Sequence, residues 1–162
     1  MAVTVSGPQL LSDSHDLSDF DCDEPLLNDW LIRRALAKQS SGASRTFVVV
    51  DNRRRVIGYY ALSAGAVAHR DSAGAVRRNM PDPIPVMVLA RLAIDRDAQG
   101  KQLGGALLKD AVLRALSVSE NAGVRALLVH TLHEKAKVFY RHYGFEESPN
   151  DPMTLMLRLP HP

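Results

Sequence analysis

The chain has 162 residues, of which 46% are hydrophobic and 23% are charged, and its formal net charge is +2. This length suits one domain, predicted over residues 1–162, whose core needs no disulfide or metal. No apolar run reaches the roughly 18 residues of a membrane span, and the acidic N-terminal stretch lacks the apolar centre of a signal peptide. Because Cys22 is the single cysteine, no internal disulfide can form, and we expect a cytoplasmic protein.

Charge is unevenly distributed along the chain. Acidic residues crowd the segment from Asp13 to Asp29, while arginines recur from Arg33 to Arg78. Such asymmetry favours an anionic partner for one face of the protein. On charge alone, scattered solvated arginines are the better explanation.

The first half of the chain predicts a helix and then a hairpin. The segment EPLLNDWLIRRALAKQ has an apolar residue at every fourth position and a proline in its first turn, as an amphipathic helix does. The residues of this stripe are Leu27, Leu31 and Ala35, with Leu26 and Trp30 alongside. The β-rich runs RTFVVV and VIGYYALSA are joined by the polar turn DNRRR, which predicts an antiparallel hairpin. The turn-rich segment that follows is predicted to be mostly loop, with a short helical piece around residues 74–78.

The second half of the chain predicts alternating strands and helices. The continuous, β-branched run PVMVLARLAI predicts a central strand buried on both faces. After a glycine-bearing loop, apolar residues recur at helical spacing from Leu103 onward. A second buried strand, VRALLVHT, is followed by the helix EKAKVFYRHY, which Gly144 closes, and by a final strand, TLMLRL, with alternating leucines. This order predicts a mixed α/β sheet with helices on its faces.

The segment QGKQLGG lies between the buried strand and the helix after it. The first N–H groups of a helix lack intrahelical partners and favour negative charge, so a phosphate suits this position. Gly100, Gly104 and Gly105 would let the main chain approach such a group closely. A nucleotide P-loop is excluded because no G-K-[ST] is present, and no G-x-G-x-x-G dinucleotide motif occurs. For the loop alone, a structural turn is an equally good explanation.

The same segment resembles a cofactor loop. QGKQLG, residues 99–104, is similar to the Q/R-x-x-G-x-G/A pyrophosphate loop of GNAT-type N-acetyltransferases. The resemblance implies the GNAT acyltransferase fold, with a mixed and mostly antiparallel sheet, acetyl-CoA as co-substrate and no metal. It also implies that the strand LARLAID hydrogen-bonds the pantetheine arm through its main chain, in the manner of an added strand. The cofactor-binding candidates are Leu92, Ala93, Ile94, Gln99, Gly100, Lys101, Gln102, Leu103, Gly104 and Gly105.

One departure from the family pattern is Gln102, which stands where the loop usually has its first motif glycine. A side chain at this position is tolerable if the backbone is helical. It would otherwise crowd the pyrophosphate and weaken acetyl-CoA binding.

A second signature lies nearer the C-terminus. The segment EKAKVFYRHYGFEES resembles the A…FY…GF signature of GNAT enzymes, whose tyrosine lies near the sulfur of acetyl-CoA. A phenol, with an ordinary pKa of about 10, suits donating a proton to a departing thiolate, whose pKa is about 8.5. Tyr140 is therefore the predicted general acid. For the residue taken alone, a core tyrosine is the alternative.

Longer stretches resemble one branch of the family, the TacT-like acetyltransferase toxins of bacterial type II toxin–antitoxin systems. These stretches are FDCDEPLLNDWLIRRALAKQSSGASRTFVV, PIPVMVLARLAID and GFEESPNDPMTLML. The resemblance implies acetylation of the α-amine of an aminoacyl-tRNA, with glycyl-tRNA as a candidate, so that translation is blocked. It also implies a homodimer, neutralised by a ribbon-helix-helix antitoxin that represses the operon, with operator DNA contacted only through the antitoxin.

The acceptor amine decides how much base the reaction needs. A lysine amine, with a pKa of about 10.4, calls for a positioned base, whereas an α-amine titrates near 7.7–8.0 and an adjacent ester lowers its pKa further. His130, His133 and Glu134 are the ionisable candidates near the second buried strand. We interpret His130 as structural, while the other two could relay a proton through water. This base-poor site favours the tRNA-borne amine.

Three arginines are the candidates for tRNA contact, because RNA binding depends largely on cation–phosphate contacts. Arg77 and Arg78 precede the cofactor strand, where an acceptor stem would enter, and Arg91 lies on that strand. Arg53–Arg55 lie in a hairpin turn, where simple solvation is the stronger explanation.

Two other functions remain open on the sequence. The same fold could acetylate a small-molecule amine or a protein N-terminus, although such an enzyme would not need a basic face. A non-catalytic partner in antitoxin-mediated repression is the alternative from another class; Gln102 favours it, and Tyr140 argues against it.

Overall fold

The computed structural model describes residues 7–160. Residues 1–6 and residues 161 and 162 lie outside this range. The first six residues belong to the acidic N-terminal stretch that was predicted not to be a signal peptide. No helix in the described range is long and apolar enough to cross a membrane. The elements are β1 (Gln9–Leu10), α1 (Pro25–Arg33), α2 (Ala35–Ser40), β2 (Arg45–Val50), β3 (Val56–Val67), α3 (Gly74–Arg77), β4 (Ile84–Ile94), α4 (Leu103–Ser119), β5 (Ala126–His130), α5 (Glu134–His142), β6 (Glu146–Glu147) and β7 (Thr154–Arg158), with 3-10 turns at His69–Asp71 and Arg96–Ala98.

The strands form one mixed sheet in the order β1-β2-β3-β4-β5-β7-β6. β4 pairs with β5 in parallel, while the pairs β1/β2, β2/β3, β5/β7 and β6/β7 are antiparallel. The predicted hairpin, the central position of β4 and the mixed α/β class are therefore confirmed. The short strands β1 and β6 were not predicted, because two residues are too few to show a periodicity.

The chain divides into two compact units. The first unit contains the residues up to Ser63 together with Arg91–Ala111, and the second contains Ala64–Ala90 together with the residues from Val112 onward. β3, β4 and α4 each begin in one unit and end in the other. Fully buried side chains of the first unit include Leu31, Val48, Tyr59 and Leu107, and the core of the second includes Ile84, Val86, Leu128 and Met156.

The helix predicted over residues 24–39 is interrupted at Arg34, whose φ of −125° and ψ of −29° separate α1 from α2. The side-chain amide of Gln39 holds α2 through both of its atoms. Nε2 donates to Leu11 O at 2.8 Å, and Oε1 accepts from Thr46 N at 3.0 Å. These bonds tie the end of α2 to the residue after β1 and to the start of β2, a tertiary constraint that helical periodicity does not reveal.

The apolar stripe of this region is buried only in part. Trp30, Leu31 and Ala35 are buried as predicted, but Leu26 is 73% exposed, so its assignment to the stripe was wrong. The buried surface begins one turn later at Trp30, which stacks on Tyr59 with ring centroids 6.0 Å apart.

Burial along β4 and β7 also differs from the prediction. β4 is largely buried up to Leu89 but mostly half-buried from there to its end. On β7, the consecutive residues Thr154, Leu155 and Met156 are all buried, so the predicted alternation was wrong. The reason is that both α3 and α5 contact β7, which covers neighbouring positions that an edge strand would expose.

Cys22 is buried just before α1, with only 7% of its surface exposed. Its thiol donates to Glu24 O at 3.7 Å, and burial raises the pKa of the thiol. Because the thiolate is the reactive form, a buried thiol with a raised pKa is unreactive.

Gly58 on β3 gives a test of packing in the first unit. A Cβ at this position would lie 3.0 Å from Ile94 Cδ1, 3.0 Å from Val49 Cγ2 and 3.1 Å from Leu107 Cδ1. We expect Gly58→Ala to lower the free energy of unfolding by about 1–3 kcal/mol through overpacking. At Gly123 a Cβ would meet no atom within 4 Å, so Gly123→Ala should change the free energy by less than about 0.5 kcal/mol. Equilibrium urea unfolding distinguishes the two variants, and equal stabilities would contradict the prediction.

Candidate active site

β4 and β5 pair in parallel over only part of β4. The register runs from Val86 opposite Ala126 to Leu89 opposite Val129, whereas β4 itself continues to Ile94. The predicted pantetheine contacts, Leu92–Ile94, lie in the part of β4 that this pairing does not include. A main chain of this kind can accept an extended ligand as an added strand.

The loop after β4 is held in place by two side chains. Asp95 accepts from Asp97 N through Oδ1 at 3.0 Å and from Asp21 N through Oδ2 at 3.1 Å. Gln99 Nε2 donates to Ile94 O at 2.9 Å, which ties the loop back to the end of its strand. Gln99 was predicted to contact the cofactor. One of the two N–H donors of its amide is used in this bond, so a contact with the cofactor would use the other N–H, the Oε1 or the main chain.

Two residues of this loop have a left-handed backbone. Gly100 has a φ of +79°, and Gln102 has a φ of +62°. For a residue with a Cβ this conformation costs roughly 1–2 kcal/mol. Gln102 therefore lies outside the right-handed helical region, in the conformation that favours glycine, and the condition set from the sequence, a helical backbone at Gln102, is not met.

α4 begins directly after Gln102, which accepts from Ala106 N at 3.3 Å through its carbonyl. The N–H groups of the first helical residues, Leu103, Gly104 and Gly105, have no intrahelical acceptor. Lys101 is exposed just before them. Unpartnered N–H groups, the positive end of the helix dipole and an ammonium group together suit a phosphorylated ligand.

Tyr140 lies on α5 and is 6% exposed. Its ring packs edge-on against Phe139 and Phe145, with centroid distances of 5.1 and 5.3 Å. Burial raises the pKa of the phenol above its ordinary value, so the hydroxyl keeps its proton at neutral pH. It makes no hydrogen bond within the described part of the chain, which leaves it available to a bound ligand.

The two ends of α5 explain why Tyr140 is placed accurately. His133 Nδ1 accepts from Ala136 N at 3.2 Å and caps the first turn. Gly144, with a φ of +91°, ends the helix as predicted. His133, suggested as a proton relay, thus has a structural role through one of its nitrogens.

Arg77 and Arg78 lie at the end of α3, and both are exposed. The buried guanidinium of Arg125, just before β5, holds the main chain of this segment. Arg125 Nε donates to Val76 O at 3.0 Å, and its Nη2 donates to the carbonyls of Ala75 and Arg78, each at 3.2 Å. Because these carbonyls end a helix, they favour a cation. Arg125 was missed from the sequence; an arginine at the head of an apolar strand was the available signal.

Arg91 is half-buried against an aromatic ring. Its Cζ lies 4.3 Å from the ring centroid of Trp30, and burial lowers the pKa of its guanidinium, which stays charged at neutral pH. A cation–π contact of this kind contributes about 0.5–2 kcal/mol. Any contact of Arg91 with RNA would therefore have to preserve or replace the Trp30 contact.

The predicted site residues fall into two groups. The loop, the end of β4 and Arg91 belong to the first unit, whereas Tyr140, Arg77 and Arg78 belong to the second. His130, interpreted as structural, is exposed at the end of β5. Residues 7–160 contain no group of three or more His, Cys, Asp or Glu side chains that could hold a metal ion.

Comparison with known proteins identifies the family. Residues 43–147 match the model of the acetyltransferase (GNAT) domain. The chain belongs to the GNAT acetyltransferase family. The fold and the enzyme class predicted from the two signatures are thereby confirmed.

Three proteins to which this chain is similar are toxins or structures of toxins. The chain is 51% identical over 152 residues to a tRNA-acetylating toxin of Mycobacterium tuberculosis, covering 94% of this chain and 91% of the relative. It matches AtaT complexed with acetyl-methionyl-tRNAfMet with a TM-score of 0.86 at 29% identity, covering 97% and 95% of the two chains. A tyrosine-to-phenylalanine mutant of KacT matches with a TM-score of 0.88 at 27% identity, covering 98% and 96%. The resemblance to the toxin branch is confirmed.

Other structures of the same two proteins contain partners. AtaT has been solved with acetyl-CoA and the C-terminus of the antitoxin AtaR, and KacTA has been solved in a complex with DNA.

The left-handed positions of the loop provide a paired test. We expect Gln102→Gly to raise the free energy of unfolding by up to about 1 kcal/mol, because relief of 1–2 kcal/mol of strain exceeds the added backbone entropy of glycine. Gly100→Ala should lower it by about 1 kcal/mol for the same conformational reason, since a Cβ there meets no atom within 4 Å. Thermal unfolding measures both effects. A stabilising Gly100→Ala or a destabilising Gln102→Gly would contradict the assigned backbone conformations.

Proposed function

We propose that this chain is a toxin that transfers the acetyl group of acetyl-CoA to the α-amino group of an aminoacyl-tRNA and so blocks translation. The observation that carries the proposal is the 51% identity to a tRNA-acetylating toxin over 94% of the chain. The structure supports it with a helix N-terminus suited to phosphates and a buried, protonated Tyr140. An amine acylated in this way can no longer attack the next ester in peptide synthesis.

The loop and the strand before it would hold acetyl-CoA. We assign the pyrophosphate to the N–H groups at the start of α4, with Lys101 beside them, and the pantetheine arm to the main chain of Leu92–Ile94. The loop is ordered by the bonds of Asp95 and Gln99, which reduces the entropy cost of binding.

In the proposed reaction the amine attacks the thioester carbon, a tetrahedral oxyanion forms, and the carbon–sulfur bond then breaks. Backbone N–H groups of the strand Arg91–Ile94 are the proposed donors to the oxyanion, an electrostatic role that needs no side chain. Tyr140 would give its proton to the departing thiolate. Its lack of another hydrogen bond and its raised pKa both suit a proton donor.

Arg77 and Arg78 are the proposed contacts to tRNA phosphates. Both side chains are exposed, and Arg125 bonds to the carbonyls of Val76 and Arg78, so the main chain that carries them is held in place. Arg91 is the third candidate, held by Trp30.

The finer features of the toxin remain proposals. We propose glycyl-tRNA as the acceptor, a homodimer as the active form, a ribbon-helix-helix antitoxin as the neutralising partner and the cytoplasm as the location. Operator DNA would be contacted only through the antitoxin. The structure with acetyl-methionyl-tRNAfMet concerns AtaT, so methionyl-tRNA is the natural competitor to test against glycyl-tRNA.

The first test uses mass spectrometry of a charged tRNA pool incubated with acetyl-CoA. We expect N-acetylated glycyl-tRNA with the wild-type protein. With Tyr140→Phe we expect a rate lower by about 10²-fold or more, because a general acid contributes 10²–10⁴-fold. Isothermal calorimetry of acetyl-CoA with the variant provides the control, since removing one hydroxyl should leave the affinity for the cofactor unchanged.

Other outcomes of this experiment exclude parts of the proposal. An unmodified tRNA pool with normal acetyl-CoA binding would favour a small-molecule or N-terminal amine acceptor. No binding of acetyl-CoA would favour the non-catalytic repression partner. Equal rates for the wild type and Tyr140→Phe would remove Tyr140 as the acid.

The second test concerns the RNA surface. Arg77→Gln and Arg78→Gln should weaken tRNA binding and reduce the slope of log K against log salt by about 1 for each phosphate that the variant no longer neutralises. Arg53→Gln is the matched control, because Arg53 is an exposed arginine in the hairpin turn that we expect to be merely solvated. Filter binding at several salt concentrations gives the slopes. Equal slopes in all variants would place the RNA elsewhere.

A further inference from the structure

We propose that His130 is the general base that removes the proton from the acceptor amine, and that Thr154 and Asp151 position it. This inference rests on the proposed function. It identifies a residue for the one proton transfer that Tyr140 does not perform.

A chain of two short hydrogen bonds fixes the His130 ring. Thr154 Oγ1 donates to Asp151 Oδ2 at 2.7 Å, and the same oxygen lies 2.8 Å from His130 Nδ1. A hydroxyl carries a single proton, and here Thr154 donates that proton in its hydrogen bond to the Asp151 carboxylate. Nδ1 must therefore be the donor in the bond to Thr154. The neutral ring then has its lone pair on Nε2.

The carboxylate at the end of this chain is itself well held. Asp151 Oδ1 accepts from Met153 N at 3.0 Å, and the backbone carbonyl of Asp151 accepts from Thr154 N at 3.1 Å. The hydrogen bonds from Thr154 and Met153, in that order, lower the pKa of Asp151. Asp151 is thus a charged acceptor at neutral pH, which keeps the Thr154 hydroxyl pointing toward it and away from His130.

The backbone at His130 is fixed by the same segment. The next residue, Thr131, donates to Met153 O twice, from its N–H at 2.8 Å and from its hydroxyl at 2.9 Å. His130 is nevertheless exposed, although the four residues before it on β5 are buried. The apolar strand β5 thus ends in one exposed histidine. Hydrogen bonds hold both its ring and the main chain of the residue that follows it.

The position of His130 in the sheet suits the role. It follows Val129, the last residue of β5 in register with β4, whose partner is Leu89. It therefore lies where the two parallel strands stop pairing. On the β4 side the neighbouring residues of the second unit, Leu89 and Ala90, carry no titratable group.

Three titratable groups of the second unit lie near His130 along the chain or on the neighbouring strand. Asp151 faces it through Thr154 on the β7 side, and its charge interacts with the imidazole. His133 and Glu134 begin α5, a few residues along the chain. His133 Nδ1 is engaged as the helix cap, and Glu134 is exposed in the first turn. Only His130 combines exposure with a fixed, basic nitrogen.

The proton balance of the reaction becomes complete with this assignment. The protonated α-amine gives one proton to His130 Nε2 and attacks the thioester carbon with its freed lone pair. The carbon–nitrogen bond forms and the carbon–sulfur bond breaks. The thiolate takes the Tyr140 proton, and the Tyr140 phenolate recovers a proton from the positively charged nitrogen as the amide forms. Of the three protons of the ammonium group, one then lies on His130, one has replaced the proton that Tyr140 gave to CoA, and one remains on the amide nitrogen.

The test compares wild type and His130→Asn in single-turnover acetylation of aminoacyl-tRNA from pH 6 to pH 9. Asparagine can still donate to Thr154 Oγ1 but has no nitrogen at the Nε2 position. We expect a rate up to about 10-fold lower at pH 7, because roughly a tenth of an amine with a pKa near 8 is already neutral there. The deficit should shrink toward pH 9, because the amine, with an ordinary pKa of about 7.7–8.0, then loses its proton unaided.

Thr154 provides a matched pair of variants. Thr154→Val keeps the shape but removes the hydroxyl, so it should show a smaller deficit with the same pH dependence, whereas Thr154→Ser should restore the wild-type profile. Thermal unfolding and acetyl-CoA affinity are measured for every variant to confirm that each one is folded.

The outcomes separate this inference from the proposed function. If the wild type does not acetylate tRNA, the proposed function fails. If the wild type is active and His130→Asn has the same rate at every pH, only the base assignment is wrong. A deficit in His130→Asn that stays constant from pH 6 to pH 9 would show a purely structural role and overturn the inference equally.

Discussion

The structure depends on a parallel strand pair that stops before its longer member ends. β4 and β5 are in register only from Val86 and Ala126 to Leu89 and Val129, yet β4 continues to Ile94. Main-chain groups of a strand are strong hydrogen-bonding groups that need partners. A strand end without its parallel neighbour suits an extended ligand. The helix start to which we assign the pyrophosphate follows this strand end along the chain, and His130 is the last residue of the shorter strand.

Side-chain bonds to the backbone hold each loop that carries a candidate residue. The amide of Gln99 ties the cofactor loop to β4, the guanidinium of Arg125 ties the end of α3 to β5, and Asn150 donates to Arg70 O at 2.9 Å in the loop before α3. Of these bonds, the one from Arg125 to Val76 O is buried, and leaving a buried acceptor unpaired costs about 1–3 kcal/mol. In loops held in this way the main chain of the candidate residues is already ordered, which a strand-and-helix scaffold alone would not provide.

The sequence predicted features that depend on local pattern or on family motifs. The hairpin, the central β4, α4, α5 with its closing Gly144, and the GNAT family follow from periodicity and from the residues of the two signatures. The bonds of Gln39 to Leu11 and Thr46 and the buried run on β7 could not be predicted, because they depend on residues distant in the chain and on two helices covering one strand. His130 was interpreted as structural because alternation places it in an apolar strand; its exposure and its bond to Thr154 come from the end of the strand, which pattern locates poorly.

The burial of Cys22 has a consequence for an enzyme of this class. Every transfer from acetyl-CoA releases a free thiol, and a protein thiol near that product is at risk of forming a mixed disulfide with it. Such exchange requires a thiolate and access to it. Cys22 offers neither, because it is 7% exposed and burial raises its pKa. The chain should therefore keep its single cysteine reduced through repeated turnovers. Thiol-directed electrophiles should not react with Cys22.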